Sequence, residues 1–275
     1  MARAARDARL HAWLLAPALA VFTAFWLLPL TRLAVVGWSG PQGLSAYFAV
    51  VTNAQYFRSL VSTVVLSLGV TAATLVVSGV AGLFLTRNEF PGKKVLLAML
   101  TFPLAFPGVV VGFMVIMLAG RQGLIGDVSE WVLDERIVFA YSMAGLFTGY
   151  LYFSIPRVIL TVMAAAEKLD SALEEAARSL GASPWRVVRD VIIPGLMPAL
   201  VSAGAICFAT SMGAFGTAFT LATKINVLPI TIYTEFTNYA NFSIAAALSI
   251  VLGVITWAAL ALARSLAGGT VSAAA

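Results

Sequence analysis

The chain has 275 residues, 61% of them apolar and 11% charged, with 17 Lys and Arg against 12 Asp and Glu for a net charge of +5. A soluble domain carries about 25% charged residues, so too few polar side chains are present to cover a water-exposed surface. The apolar content excludes a disordered chain, and the single Cys207 excludes a disulfide scaffold. What remains is an integral membrane protein. Its basic residues lie between apolar segments rather than interleaved with aromatic ones, so the positive charge points to membrane topology and not to nucleic acid.

A membrane-crossing helix needs about 20 mostly apolar residues. Six stretches qualify: residues 13–31, 60–85, 95–119, 137–156, 198–221 and 242–263. The first follows Arg3, Arg6 and Arg9, as a signal peptide would. Its apolar run is too long for one, however, and no small-residue cleavage site follows before Trp38, so it is expected to be a retained helix. After it, Gly37, Gly40, Pro41 and Gly43 mark a loop over 37–59, which includes an amphipathic stretch at 47–57. With the N-terminus inside, the cytoplasmic segments hold Arg3, Arg6, Arg9, Arg87, Lys93, Lys94, Arg157, Lys168, Arg178, Arg186, Arg189 and Arg264. The opposite side holds only Arg32, Arg58, Arg121, Arg136 and Lys224. This bias predicts that both termini are cytoplasmic.

The long loop before the fifth span concentrates the chain's charge. Between Glu167 and Asp190 it carries Asp170, Glu174, Glu175, Lys168, Arg178, Arg186 and Arg189. Residues 170–181 read as a short helix, with Asp170 or Ser171 as the N-terminal cap, Glu174 and Glu175 in the early turns and Gly181 as the stop. Ser183-Pro184 then opens a second helix, ended at Pro194, and Pro198 helps to start the fifth span. Two short helices at a bend hold no core of their own. They are shaped to dock on something.

The residues of this loop carry a resemblance. Glu175-Ala176-Ala177, three residues, Gly181, nine residues and Val191-Ile192-Ile193-Pro194 resemble the E-A-A loop of ABC importer permeases. Every spacing matches, and the only departures are Val191 for Ile and Ile193 for Leu. The resemblance runs through span number and loop order from about residue 60 to residue 264. It implies an all-α membrane protein of six spans with the MetI-like permease fold, in the bacterial inner membrane. Residues 166–194 would form the coupling loop, with Glu174, Glu175, Ala176, Ala177, Gly181, Pro184 and Pro194 as its working residues. Small Ala176 and Ala177 would permit close approach to an ATPase, Gly181 the sharp turn, and Glu175 a pairing with a basic group. The implied partners are two copies of an ABC ATPase subunit, a second permease subunit (identical or homologous), an extracytoplasmic solute-binding protein and the lipid bilayer. ATP and Mg would be bound by the ATPase, with no cofactor in this chain. Closure of the ATPases would then rock the spans between inward-open and outward-open states.

The sequence agrees with that division of labour. It has no G-x-x-x-x-G-K-[ST] phosphate loop, since Gly92-Lys93 is followed by Lys94 and preceded by Arg87 where a glycine belongs. One His (His11) and one Cys make no metal or protease site, and no G-x-S-x-G occurs. The chain is not expected to be an enzyme on its own.

Polar and helix-breaking residues inside spans are costly unless they face protein or water. The third span has Pro103 and Pro107-Gly108; the fourth has Tyr141, Tyr150, Tyr152, Ser154 and Pro156; the fifth has Thr210, Ser211, Gly213, Gly216, Thr217 and Thr220. Tyr150, Ser154, Ser211, Gly213, Phe215 and Thr217 are the expected pathway residues. Two accounts stay open for them, a cavity lining and helix packing, since Gly108/Gly112 and Gly145/Gly149 have small-x-x-x-small spacing. Permeases of the polyamine-like branch carry a Ser, an acidic pair and an aromatic in the fifth span. Here the stretch is Ser211-Met212-Gly213-Ala214-Phe215, which resembles that pattern without its acids. A polycation would need those carboxylates. Together with Thr231-Ile232-Tyr233-Thr234-Glu235, the resemblance implies the aminoalkylphosphonate, polyamine or ferric-ion branch, with aminoalkylphosphonate or a related small polar solute favoured. A non-transporting membrane scaffold is the rival from another class. A channel or secondary transporter would be expected to show charged residues within spans and to work without ATP.

Overall fold

The computed structural model describes residues 15–221 and 225–272, with side chains as far as residue 265. Arg3, Arg6, Arg9, His11, Lys224 and the expected start of the first span at residue 13 lie outside the described residues. Helix is the only regular structure among the described residues, as lipid requires, because each backbone N–H and C=O must then be satisfied within its own segment. In chain order the helices are α1 (Leu15–Trp38), α2 (Gly43–Thr52), α3 (Ala54–Arg87), α4 (Lys93–Thr101), α5 (Gly108–Ala119), α6 (Leu124–Leu133), α7 (Met143–Ala166), α8 (Ser171–Ser179), α9 (Pro184–Met212), α10 (Gly216–Leu221), α11 (Leu228–Thr237) and α12 (Phe242–Ser272). Six stretches are long and apolar enough to cross a membrane: Leu15–Trp38, Ala54–Arg87, Gly108–Leu133, Met143–Ala166, Pro184–Met212 and Phe242–Ser265.

The expected spans are present with shifted bounds: the first runs on to Trp38, the second starts at Ala54, the sixth runs to at least Ser265, and three others differ more. The fourth, expected over 137–156, runs Met143–Ala166. Residues 137–141 are not helical: the Phe139 and Ala140 amides donate to the Ala119 carbonyl at 3.1 and 3.0 Å, and the Ser142 hydroxyl caps α7 by accepting from the Ala144 amide at 3.2 Å. Pro156 does not end this helix. It lies buried inside it, so Arg157 is part of the helix and not of a loop. The third, expected as one helix over 95–119, is broken into α4, a 3-10 turn Phe102–Ala105 and α5, because Pro103 and Pro107 have no N–H to continue the ladder. The stretch that qualifies by length there, Gly108–Leu133, joins α5 to α6 across a break at Gly120. The fifth, expected over 198–221, runs Pro184–Met212, breaks at residues 213–215 and resumes as α10. The expected stop at Pro194 and start at Pro198 are both absent. A π stretch, Val188–Ile192, shifts the hydrogen-bond register just before Pro194, so the missing N–H is absorbed and the helix passes through.

The chain divides into two compact units. The smaller comprises residues 1–57 and 231–251. In it the Tyr47 hydroxyl donates to the Ala34 carbonyl at 2.5 Å and the Ser243 hydroxyl to the Gly37 carbonyl at 2.8 Å. Buried Glu235 accepts from the Tyr56 hydroxyl at 2.8 Å and from the Asn241 amide at 3.2 Å. The larger comprises residues 58–230 and 252–275. Its core joins Leu66 and Val70 of α3, Val115 of α5, Leu146, Tyr150 and Val162 of α7, Leu196 and Ala203 of α9, and Ala218 and Leu221 of α10.

Two glycines of the larger unit explain how closely its helices approach. A Cβ on Gly112 would stand 2.6 Å from the Thr220 Cβ, and one on Gly149 would stand 2.8 Å from the Thr217 Cγ2. Small residues there bring α5 and α7 against α10.

Candidate functional site

The first site is the bend between α8 and α9. Its local structure follows from its caps. The Asp170 carboxylate accepts from the Ala172 amide at 2.9 Å to start α8. The C-terminal end is a Schellman motif: the Gly181 amide donates to the Arg178 carbonyl at 2.9 Å and the Ala182 amide to the Ala177 carbonyl at 3.0 Å. Gly181 has φ +82°, the left-handed conformation such a motif requires. Ser183 then caps α9, with Pro184 at its first position. Ala177 and Ala182 pack on the core, while Glu175 and Ala176 are exposed. Beside them lie three large apolar side chains: Leu173, Leu180 and Trp185 are 59%, 89% and 69% exposed.

Glu174 does not share that exposed face. It is buried, and its carboxylate takes a two-pronged ion pair from Arg87 at the end of α3, with Nη1 donating to Oε2 at 2.7 Å and Nη2 to Oε1. Arg178, one turn on, stands 3.9 Å away. Glu174 therefore anchors α8 to α3 instead of presenting a charge to a partner. Pro194 lies beyond the bend, within α9.

The second site is a cavity of about 290 Å³, lined by Pro103, Leu104, Phe106, Gly108, Phe153, Arg157, Thr210, Ala214, Gly216 and Thr217. It sits where two spans are broken. The third span is interrupted by Pro103 and Pro107 and the fifth by residues 213–215, and the two breaks are laced together. Thr217 donates to the Gly108 carbonyl at 2.9 Å, and the Tyr150 hydroxyl donates to the Ala214 carbonyl at 2.6 Å. Paired, interrupted helices near mid-membrane are where transporters place their solute sites, since irregular backbone is tolerated there only against protein or water. Arg157 lies nine residues before the end of α7, about 14 Å along the axis at 1.5 Å per residue.

Of the expected pathway residues, Thr217 lines the cavity and Tyr150 fixes the carbonyl of a lining residue. Ser154 and Ser211 are buried in the protein, and their hydroxyls have no hydrogen-bond partner among the described residues. Gly213 and Phe215 are exposed next to Ala214, and Phe215 stacks on Phe219 with ring centroids 5.2 Å apart. Gly108, assigned to helix packing with Gly112, serves both packing and lining. Arg157 and Arg87 are central to the two sites, yet the sequence marks them only as positive charges that set topology.

Residues 78–269 match the family model described as "Binding-protein-dependent transport system inner membrane component". The chain belongs to this family. As a member it is a multi-pass inner-membrane transport component with the MetI-like permease fold. The permease is 29% identical over 264 residues to the putative 2-aminoethylphosphonate transport system permease protein PhnU of Salmonella typhi, across 94% of this chain and 91% of that one. It is 34% identical over 197 residues to the molybdenum transport system permease protein ModB of Escherichia coli K12, across 68% of this chain and 85% of that one. Among solved structures, the fold is shared with a chain of a bacterial alginate ABC transporter, crystallised in complex with an alginate pentasaccharide-bound periplasmic protein. That likeness has a TM-score of 0.78 at 18% identity and covers 95% of this chain and 94% of the other. The matched family segment contains both the bend and the cavity.

Proposed function

We propose that the permease forms half of the translocation pathway of an ATP-driven importer, and that a separate ATPase subunit docks on the bend between α8 and α9. The exposed apolar trio Leu173, Leu180 and Trp185 beside Glu175 carries this proposal, since a rigidly capped bend with large apolar side chains turned outward is built to be covered. Two ATPase copies bind ATP and Mg. A second permease, identical or homologous, completes the pathway, and an extracytoplasmic binding protein delivers the solute. The cavity between broken spans supports a transport role over a scaffold. The likeness to PhnU supports aminoalkylphosphonate or a related small polar solute over polyamine or ferric ion.

The test is copurification of the chain with a tagged, coexpressed ABC ATPase subunit from the same organism, with and without Gly181→Val. No atom lies within 4 Å of a Cβ at Gly181, so the strain of this variant is purely conformational: a β-branched residue forced to φ +82°. The expected variant inserts in the membrane but loses its ATPase and its uptake. Normal uptake by Gly181→Val with ATPase bound would remove the docking role.

Both termini are proposed to be cytoplasmic. With Cys207 replaced, an impermeant thiol reagent applied to intact cells is expected to label the exposed positions Gln122→Cys and Asn226→Cys and to spare Lys93→Cys and Arg186→Cys. Labelling at 186 from outside would invert the topology.

A further inference from the structure

We propose that Arg157 makes the cavity between the broken third and fifth spans an oxyanion-selecting station, so that the permeating solute is passed by its phosphonate, phosphate or similar anionic group. This rests on the importer function proposed above and names the solute class it implies.

Three observations converge. First, Arg157 lies inside α7 and lines the cavity, yet its side chain has no hydrogen-bond or ion-pair partner among the described residues. Elsewhere in this unit the arginines that shape structure are paired: Arg87 with Glu174, and Arg136 with Asp127 and Glu130. Arg157 is exposed, and a guanidinium has five donors in a planar fork that fits a carboxylate, phosphate or phosphonate, and no acceptor, so it can offer an entering anion charge-assisted contacts without first breaking a protein ion pair. Second, no carboxylate is among the ten lining residues. A polyamine or an iron cation would meet positive charge here with no carboxylate in the lining to offset it. Third, α5, a helix of twelve residues, begins at the cavity wall with Gly108 after an extended Pro107, and no side chain caps it. Its first amides and the positive end of its dipole add to the field of Arg157. Thr217, also in the lining, holds that wall together by donating to the Gly108 carbonyl at 2.9 Å. The volume of about 290 Å³ suits a solute of a few heavy atoms.

The experiment uses the complete transporter, with its ATPase and binding protein, in proteoliposomes. Uptake of 2-aminoethylphosphonate, molybdate and putrescine is measured for the native chain, Arg157→Lys and Arg157→Gln, and normalised to membrane level. The expected native protein takes up an oxyanion probe in preference to putrescine. Arg157→Gln is expected to lose about tenfold or more of that uptake, the loss of one charge-assisted contact, while Arg157→Lys stays within about threefold of native. A second measurement needs no solute. In a Cys207→Ala background, Thr210→Cys reacts with an anionic and a cationic methanethiosulfonate, and the ratio of rates is expected to fall about tenfold when Arg157→Gln is added. Undiminished oxyanion uptake by Arg157→Gln, uptake of putrescine alone by the native protein, or an unchanged reagent ratio each overturns the inference. Absence of both ATP-dependent uptake and bound ATPase overturns the importer function instead, and the reagent ratio still decides the charge preference of the cavity.

Discussion

Arg87→Ala is expected to destabilise the permease by about 2–4 kcal/mol and to abolish ATP-driven uptake, because it leaves a buried carboxylate with no close partner. The Glu174 side chain is 5% exposed and that of Arg87 34%. With Arg87 gone, only Arg178 remains within reach, at 3.9 Å and largely in solvent. Most of the cost is therefore the stranded acid and not the lost attraction. The double variant Arg87→Ala with Glu174→Leu should then be more stable than Arg87→Ala alone, since it removes the charge that has to be desolvated. Thermal unfolding of the detergent-solubilised protein reads the stability, and copurified ATPase reads the consequence. Glu175→Ala, by contrast, lies on the exposed face and is expected to weaken ATPase retention with no loss of unfolding temperature. Equal unfolding temperatures for Arg87→Ala and the native chain would show that the pair contributes nothing.

The same pair would carry movement of the proposed docking bend to the membrane. Glu174 sits on α8, whose other faces are exposed, and Arg87 ends the 34-residue α3. A partner that moves α8 pulls on α3 through two parallel hydrogen bonds, and on α9 through the bend capped at Gly181 and Ser183. Two spans would then respond to one docking event. Rigid-body displacement of packed helices needs links of this kind, because cores resist continuous deformation.

Both the bend and the spans are legible in the sequence, for different reasons. Capping is local: Asp170, Gly181, Ser183 and Pro184 act within one turn of their own positions, so a linear reading finds them. Spans are legible because lipid demands long apolar runs, but their ends are not, since a proline inside a membrane helix does not have to stop it. Pro156, Pro194 and Pro198 each look like a boundary in the sequence, and none marks one. Taking Pro156 as an end also places Arg157 in a loop, whereas it stands in the cavity wall. The ion pair of Arg87 and Glu174 spans 87 residues, and no periodicity encodes it. Ser154 and Ser211 show the remaining gap. A hydroxyl in a span signals that the residue avoids lipid, but whether it faces a neighbouring helix or a cavity depends on the rotation of the helix, and for Ser211 on the break at residue 213.

That break also sets the sharpest test of charge in the pathway. Gly213 has φ −95°, open to any residue, and a Cβ there would meet only the Ala209 carbonyl oxygen, at an ordinary contact distance of 3.8 Å. The backbone and the Cβ of Gly213→Asp are therefore accommodated without strain. Ala214, the next residue, lines the cavity with Arg157. Ala214→Asp is expected to bring a carboxylate into the space that Arg157 serves, to pair with the guanidinium and to cut oxyanion uptake by about tenfold or more. Gly213→Asp, one residue outside the lining, should lower it less. Ala214→Asn is the control: nearly the same size and still polar, but neutral, it should keep most of the native rate. The ordering native, Ala214→Asn, Gly213→Asp, Ala214→Asp in initial uptake, corrected for membrane level, follows from charge alone. A steric blockade would instead group Ala214→Asn with Ala214→Asp. A cation pathway would reverse the order of the acids, because a carboxylate at 214 would attract the solute. Putrescine uptake that rises in Ala214→Asp, with a native protein that already carries putrescine, would assign the cavity to cations and leave Arg157 a structural role.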